Sequence, residues 1–79
     1  MITLDDVNRI KAVLIEHSEW TDSSSERSRV NEDGVFEWIT SSCSGDTVAA
    51  LIADGYDVYI WPSLRYDGFL DIQISCLWY

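Results

Sequence analysis

The sequence predicts a small α+β fold: a three- or four-stranded, mainly antiparallel sheet with two helices packed on one face. Three observations carry this. Two stretches have helical spacing and caps. Two others, near the C-terminus, alternate strictly. The whole chain has only 79 residues, enough for one small core, so residues 1–79 are expected to form a single domain. A 47% hydrophobic and 13% aromatic composition argues against disorder.

The first helix is "TLDDVNRIKAVLIEH". Thr3 stands where an N-cap belongs, and Asp6 three residues later completes a short-armed capping box. Asp5 and Asp6 suit the positive end of the helix dipole. Leu4, Val7, Ile10 and Leu14 recur at helical spacing and are the expected buried stripe. "SEWTDSSSERS" then breaks the pattern as a polar loop of about ten residues. Its isolated Trp20 is expected to fold back on the core.

Asn31 to Gly34 reads as a turn. Val35 to Thr40 is rich in β-branched and aromatic residues, which favours a strand, with Arg27 to Val30 as a short hairpin partner. The second reading is a helix capped by Asp33, since Val35, Trp38 and Ile39 also fit a helical stripe. "SGDTVAALIADG" is a short helix capped by Ser44 or Asp46, buried through Val48, Leu51 and Ile52, and closed by Gly55.

Tyr56 to Trp61 alternates, with Val58 and Ile60 on one face and Asp57, Tyr59 and Trp61 on the other. Pro62 stops the strand. Phe69 to Trp78 is the second long strand. Leu70, Ile72, Ile74, Cys76 and Trp78 share one of its faces, and Phe69, Asp71, Gln73 and Ser75 the other. The two runs are expected to form an antiparallel hairpin.

The charge is −9 and uneven: residues 1–30 carry six acids and four bases, residues 31–79 eight acids and Arg65 alone. Such a half repels nucleic acid and anionic membrane and attracts basic surfaces. Aromatic residues on a sheet face resemble a base-stacking platform, but they lack the cations that hold phosphates, so direct nucleic-acid binding is not expected. Neither a leader pattern nor a membrane-length apolar run is visible, so a cytoplasmic location is expected, that of the host cell if the gene belongs to a phage.

Chemistry is hard to find. His17 is the only histidine, and no CxxC, P-loop, GxGxxG or G-x-S-x-G occurs. Cys43 and Cys76 are expected to be thiols rather than a disulfide. A Cys43–His17 pair would need to meet in space. Asp57 and Asp71 could face each other across the hairpin as glycosidase carboxylates do, but so short a chain leaves little room for a sugar cleft. No catalytic residue, metal or cofactor is expected.

What remains is a surface. Asp57, Tyr59, Trp61, Asp67, Phe69, Asp71 and Gln73 form the expected partner-binding patch, with aromatic anchors among carboxylates. A homodimer contact, or burial of Tyr59 and Trp61 under the 18–28 loop, are the alternatives. The expected function is that of a non-enzymatic acidic inhibitor occupying the basic surface of a nucleic-acid-handling protein, a CRISPR effector or another nuclease. DNA-mimicking anti-restriction and anti-CRISPR proteins of phages use such charge logic, as do immunity proteins of nuclease toxins, though no motif ties this chain to them. The second reading is an accessory protein that assembles with itself or a subunit through its aromatics, with charge incidental.

Overall fold

A computed structural model describes residues 1–76. It contains helix α1 (Leu4–Glu16), a 3₁₀ turn (Ser24–Arg27), strands β1 (Ser28–Val30) and β2 (Phe36–Thr40), helix α2 (Gly45–Ala53), and strands β3 (Tyr56–Pro62) and β4 (Leu70–Cys76). The α+β class is as expected. Residues 36–40 are strand, which settles the strand-or-helix alternative. Trp78, assigned to the last strand from the sequence, lies outside the described residues.

The four strands are antiparallel neighbours in the order β1-β2-β4-β3. The last strand is therefore inserted beside β2, and β2–α2–β3 crosses over it. Phe36, Ile74 and Val58 lie in one row across the sheet, and Trp38, Ile72 and Ile60 in the next. Except for the exposed Ile60 at the edge, these inward rows meet Ile10, Val13 and Leu14 of α1 and Leu51 of α2 in one cluster.

Thr3 caps α1 as expected. Its hydroxyl accepts from the Asp6 N–H at 3.2 Å, and the Asp6 carboxylate accepts from the Thr3 N–H at 2.9 Å. The helix ends without glycine. Ser18 takes φ +58°, the Ser18 N–H donates to the Ile15 carbonyl, and the Glu19 N–H donates to that of Leu14. This is a Schellman closure, and it turns Trp20 back onto the core beside Lys11, whose Nζ lies 5.4 Å from the ring centroid.

Two residues expected in the buried stripes are not there. Leu4 is 75% exposed, and Val13 takes its place. At about 100° per residue, Leu4 lies well off the arc centred on Val7, Ile10, Val13 and Leu14. Ile52 is likewise half exposed and Val48 only partly buried, so α2 buries Thr47 beside the expected Leu51. The Ser44 hydroxyl caps α2 through the Thr47 N–H at 3.2 Å, and it also lies 2.9 Å from the Thr47 hydroxyl, which gives that buried polar group a partner.

The β1–β2 turn closes against the N-terminus. Ile2 N–H donates to the Gly34 carbonyl at 2.8 Å. Gly34 has φ +76°, and a Cβ there would lie 2.6 Å from the Met1 side chain, so the turn needs glycine for both conformation and space.

Tyr56 ties α1 to the sheet. Its ring is buried and its hydroxyl donates to Asp6 Oδ1 at 2.7 Å. The Thr3 N–H first, and then this hydroxyl, hold the Asp6 carboxyl below its ordinary range. Burial first, and then the Asp6 carboxylate, push the Tyr56 hydroxyl up to about 12. The Tyr56 contribution is complete below its ordinary value of 10.0 and fades as pH rises through about 12. The Asp6 contribution is complete above 3.8 and fades as pH falls through its lowered value. Tyr56→Phe should cost about 1.5–3 kcal/mol near neutral pH, as expected for a hydrogen bond to a charged group. It should also remove the part of the alkaline loss of stability that accompanies ionisation of Tyr56 through about 12. Urea midpoints from neutral to strongly alkaline pH check both, and a variant that keeps the wild-type alkaline slope would contradict the assignment.

Candidate functional site

Both helices pack on one sheet face, which leaves the other face open. Across it, Arg29, Glu37, Gln73 and Tyr59 form one row, and Ile39, Asp71 and Trp61 the next. Asp57 and Ser75 follow at one end. The expected patch residues Asp57, Tyr59, Trp61, Asp71 and Gln73 are thus brought together on this face.

Tyr59 and Trp61 are 51% and 47% exposed, and their rings stack at 5.7 Å with 25° between planes. Their one-face spacing on β3 produces the contact, because residues two apart on a strand stand side by side. The 18–28 loop does not cover them. It lies at the opposite edge, where its 3₁₀ turn packs on β1 and β2. The hydroxyls of Thr21 and Ser24 shape that turn, with the Thr21 N–H donating to Ser24 Oγ at 2.8 Å.

Asp67 and Phe69 lie apart from the aromatic pair. Asp67 is exposed in the β3–β4 turn. Phe69 is half-buried beneath the Arg27 guanidinium, 4.9 Å from the ring centroid, and beside Tyr66 at 5.9 Å. Asp57 and Asp71 do not face each other, because the register sets Asp57 opposite Ser75 and Asp71 opposite Trp61.

The fold rearranges the charge written along the chain. β1 pairing carries Arg29 onto the open face, where its Nε donates to Glu37 Oε1 at 2.9 Å. Arg27, Arg29 and Arg65 line a concavity of about 240 Å³ together with Glu26, Glu37 and Asp71. Asp71 Oδ1 is buried there without a hydrogen-bond partner among the described residues. This corner of the face is therefore balanced rather than acidic.

Six acids gather at the other end of the sheet. The N-terminus of α1, the β1–β2 turn and the start of β3 meet there, through the Ile2–Gly34 and Tyr56–Asp6 hydrogen bonds. Asp5, Asp6, Glu32, Asp33, Asp54 and Asp57 belong to these segments, against Arg9 and the terminal amine. Asp57 is where this acidic end touches the aromatic pair.

Neither thiol is set up as a nucleophile by its surroundings. Burial first, and then Glu19, push the Cys43 thiol up to about 11, so it stays protonated at neutral pH. Cys76 Sγ lies 3.6 Å from the Met1 carbonyl and 3.8 Å from Asp6 Oδ2. Both cysteines are free and partly exposed. Among the described residues, no group of three or more His, Cys, Asp or Glu side chains is arranged to hold a metal ion. None of their helices is long and apolar enough to cross a membrane. The chain has no significant match among protein-family models, curated proteins or solved structures.

Proposed function

We propose that this chain is a non-enzymatic acidic binding protein that inhibits a nucleic-acid-handling protein by occupying its basic surface, in the manner of phage anti-CRISPR and anti-restriction proteins. The stacked, half-exposed Tyr59–Trp61 pair on an uncovered sheet face carries this reading. Such rings supply rigid contact area at low entropic cost. The acidic end beginning at Asp57 supplies the long-range attraction, in a molecule of net charge −9. Carboxylates there stand in for the phosphates that the partner, a CRISPR effector or another nuclease, otherwise holds. Asp57, Gln73 and Asp71 rim the aromatic contact, and Asp67 and Phe69 extend it toward the β3–β4 turn.

The test is capture of partners by the full chain from host-cell extract at low salt, identified by mass spectrometry. A basic nucleic-acid-handling protein should be recovered, should be released as salt rises, and should lose its nucleic acid when this chain is added. Recovery of no such protein, binding insensitive to salt, or simultaneous binding of nucleic acid and this chain would each overturn the reading.

A further inference from the structure

The outer edge of β3 is an unpaired strand, and its hydrogen-bonding phase can be read from the turns. Ser63 N–H donates to the Phe69 carbonyl at 2.9 Å, one step beyond the Pro62–Leu70 pair. Opposed residues in an antiparallel ladder alternate between bonded and non-bonded pairs. Asp57, Tyr59 and Trp61 therefore bond to β4, and Tyr56, Val58, Ile60 and Pro62 turn their backbone groups outward. The other end of the sheet gives the same phase. Asn31 N–H donates to the Val35 carbonyl at 2.9 Å, so Arg29–Glu37 is a bonded pair. Phe36, Trp38 and Thr40 then bond to β4, which leaves Asp71, Gln73 and Ser75 for β3.

Apart from Pro62 at its end and Asp57, this edge lacks the usual protection. It runs seven residues in unbroken register and carries neither lysine nor arginine. Ile60 is 43% exposed beside it. Pro62, which has no N–H, falls in an outward position, where proline leaves the β4 ladder intact. The β1 edge is by contrast three residues long and carries Arg29.

We propose that β3 pairs antiparallel with β3 of a second copy, about a two-fold axis at Tyr59, to give a continuous eight-stranded sheet. The strand is its own complement. With the axis at Tyr59, all seven residues of each strand overlap. Val58 and Ile60 of one copy then exchange both hydrogen bonds with Ile60 and Val58 of the other, and each Tyr56 N–H meets a Pro62 carbonyl. Asp57, the only charge on the strand, stands opposite Trp61 rather than the other Asp57. Two copies of charge −9 still repel, so this association should tighten as salt rises. That is the opposite sign to partner binding, and it separates failure of the dimer from failure of the proposed function.

The experiment is sedimentation equilibrium of the full chain from low to high micromolar concentration at two salt levels, with amide hydrogen exchange followed by NMR. Dilute protein should show alternation, with Tyr59 and Trp61 amides slow and Val58 and Ile60 amides fast. At about ten times the dissociation constant the fast amides should slow by roughly fivefold through mass action. Ile60→Lys should weaken the dimer at least about tenfold by placing a charge on the edge, with little change in the urea midpoint. A monomer at every concentration would overturn the proposal. So would a dimer in which Val58 and Ile60 amides stay fast, or protection of those amides only when a different protein is added.

Discussion

Replacing Trp38 by alanine should remove a large share of the protein's stability. Trp38 is fully buried in the second inward row, between Ser28 of β1 and Ile72 of β4. Truncating a buried tryptophan costs about 3–5 kcal/mol, because the cavity closes only in part. A chain of this length holds roughly 4–12 kcal/mol in total at about 0.05–0.15 kcal/mol per residue. Trp38→Phe should behave differently. Trp38 Nε1 is buried without a hydrogen-bond partner among the described residues, so its removal leaves no acceptor stranded. Loss of that orphan donor offsets part of the lost packing, and the net cost should be about 1–2 kcal/mol. Urea titrations of the two variants check this. A phenylalanine variant as unstable as the alanine one would mean that the indole N–H is satisfied after all.

The second large effect falls on binding rather than folding. Tyr59→Ala and Trp61→Ala should each weaken capture of the proposed partner by about 2 kcal/mol or more, roughly thirtyfold, as aromatic anchors do. The urea midpoint should move little, since both rings are half exposed and cross-strand neighbours contribute only about 0.2–1 kcal/mol. Because the rings stack, the double variant should lose less than the sum of the two. Titration of the purified partner against all three variants reads this directly. Wild-type affinity in the double variant would remove the aromatic pair from the interface.

The local signals in the sequence were readable because their causes are local. The Thr3–Asp6 box, the Ser44 cap and the alternation of β3 and β4 each follow from residues within a turn or two of one another. The outward face of β3 was legible for the same reason, and Tyr59 and Trp61 are on it. The surroundings of that face were not legible. Arg27 and Arg29 reach it only because β1 pairs with β2 and β2 with β4, a choice made between distant segments. Counting acids by chain half therefore could not show where these arginines go. The same limit explains Leu4 and Ile52, whose spacing suits a helical stripe, although which arc is buried depends on where the sheet lies. The turn at Ser24–Arg27 was hidden among serines whose hydroxyls bind nearby backbone groups, a habit that composition alone does not reveal.

The place of β4 has a consequence for how the protein is made. Among the described strands it is the last to be made, yet it lies inside the sheet, between β2 and β3. Until it emerges, β2 and β3 have no common neighbour, and the inward side chains Phe36, Trp38 and Val58 lack Ile72 and Ile74 between them. The nascent chain should therefore gain most of its protection from proteases only once β4 has emerged, which limited proteolysis of chains stalled before and after β4 would show.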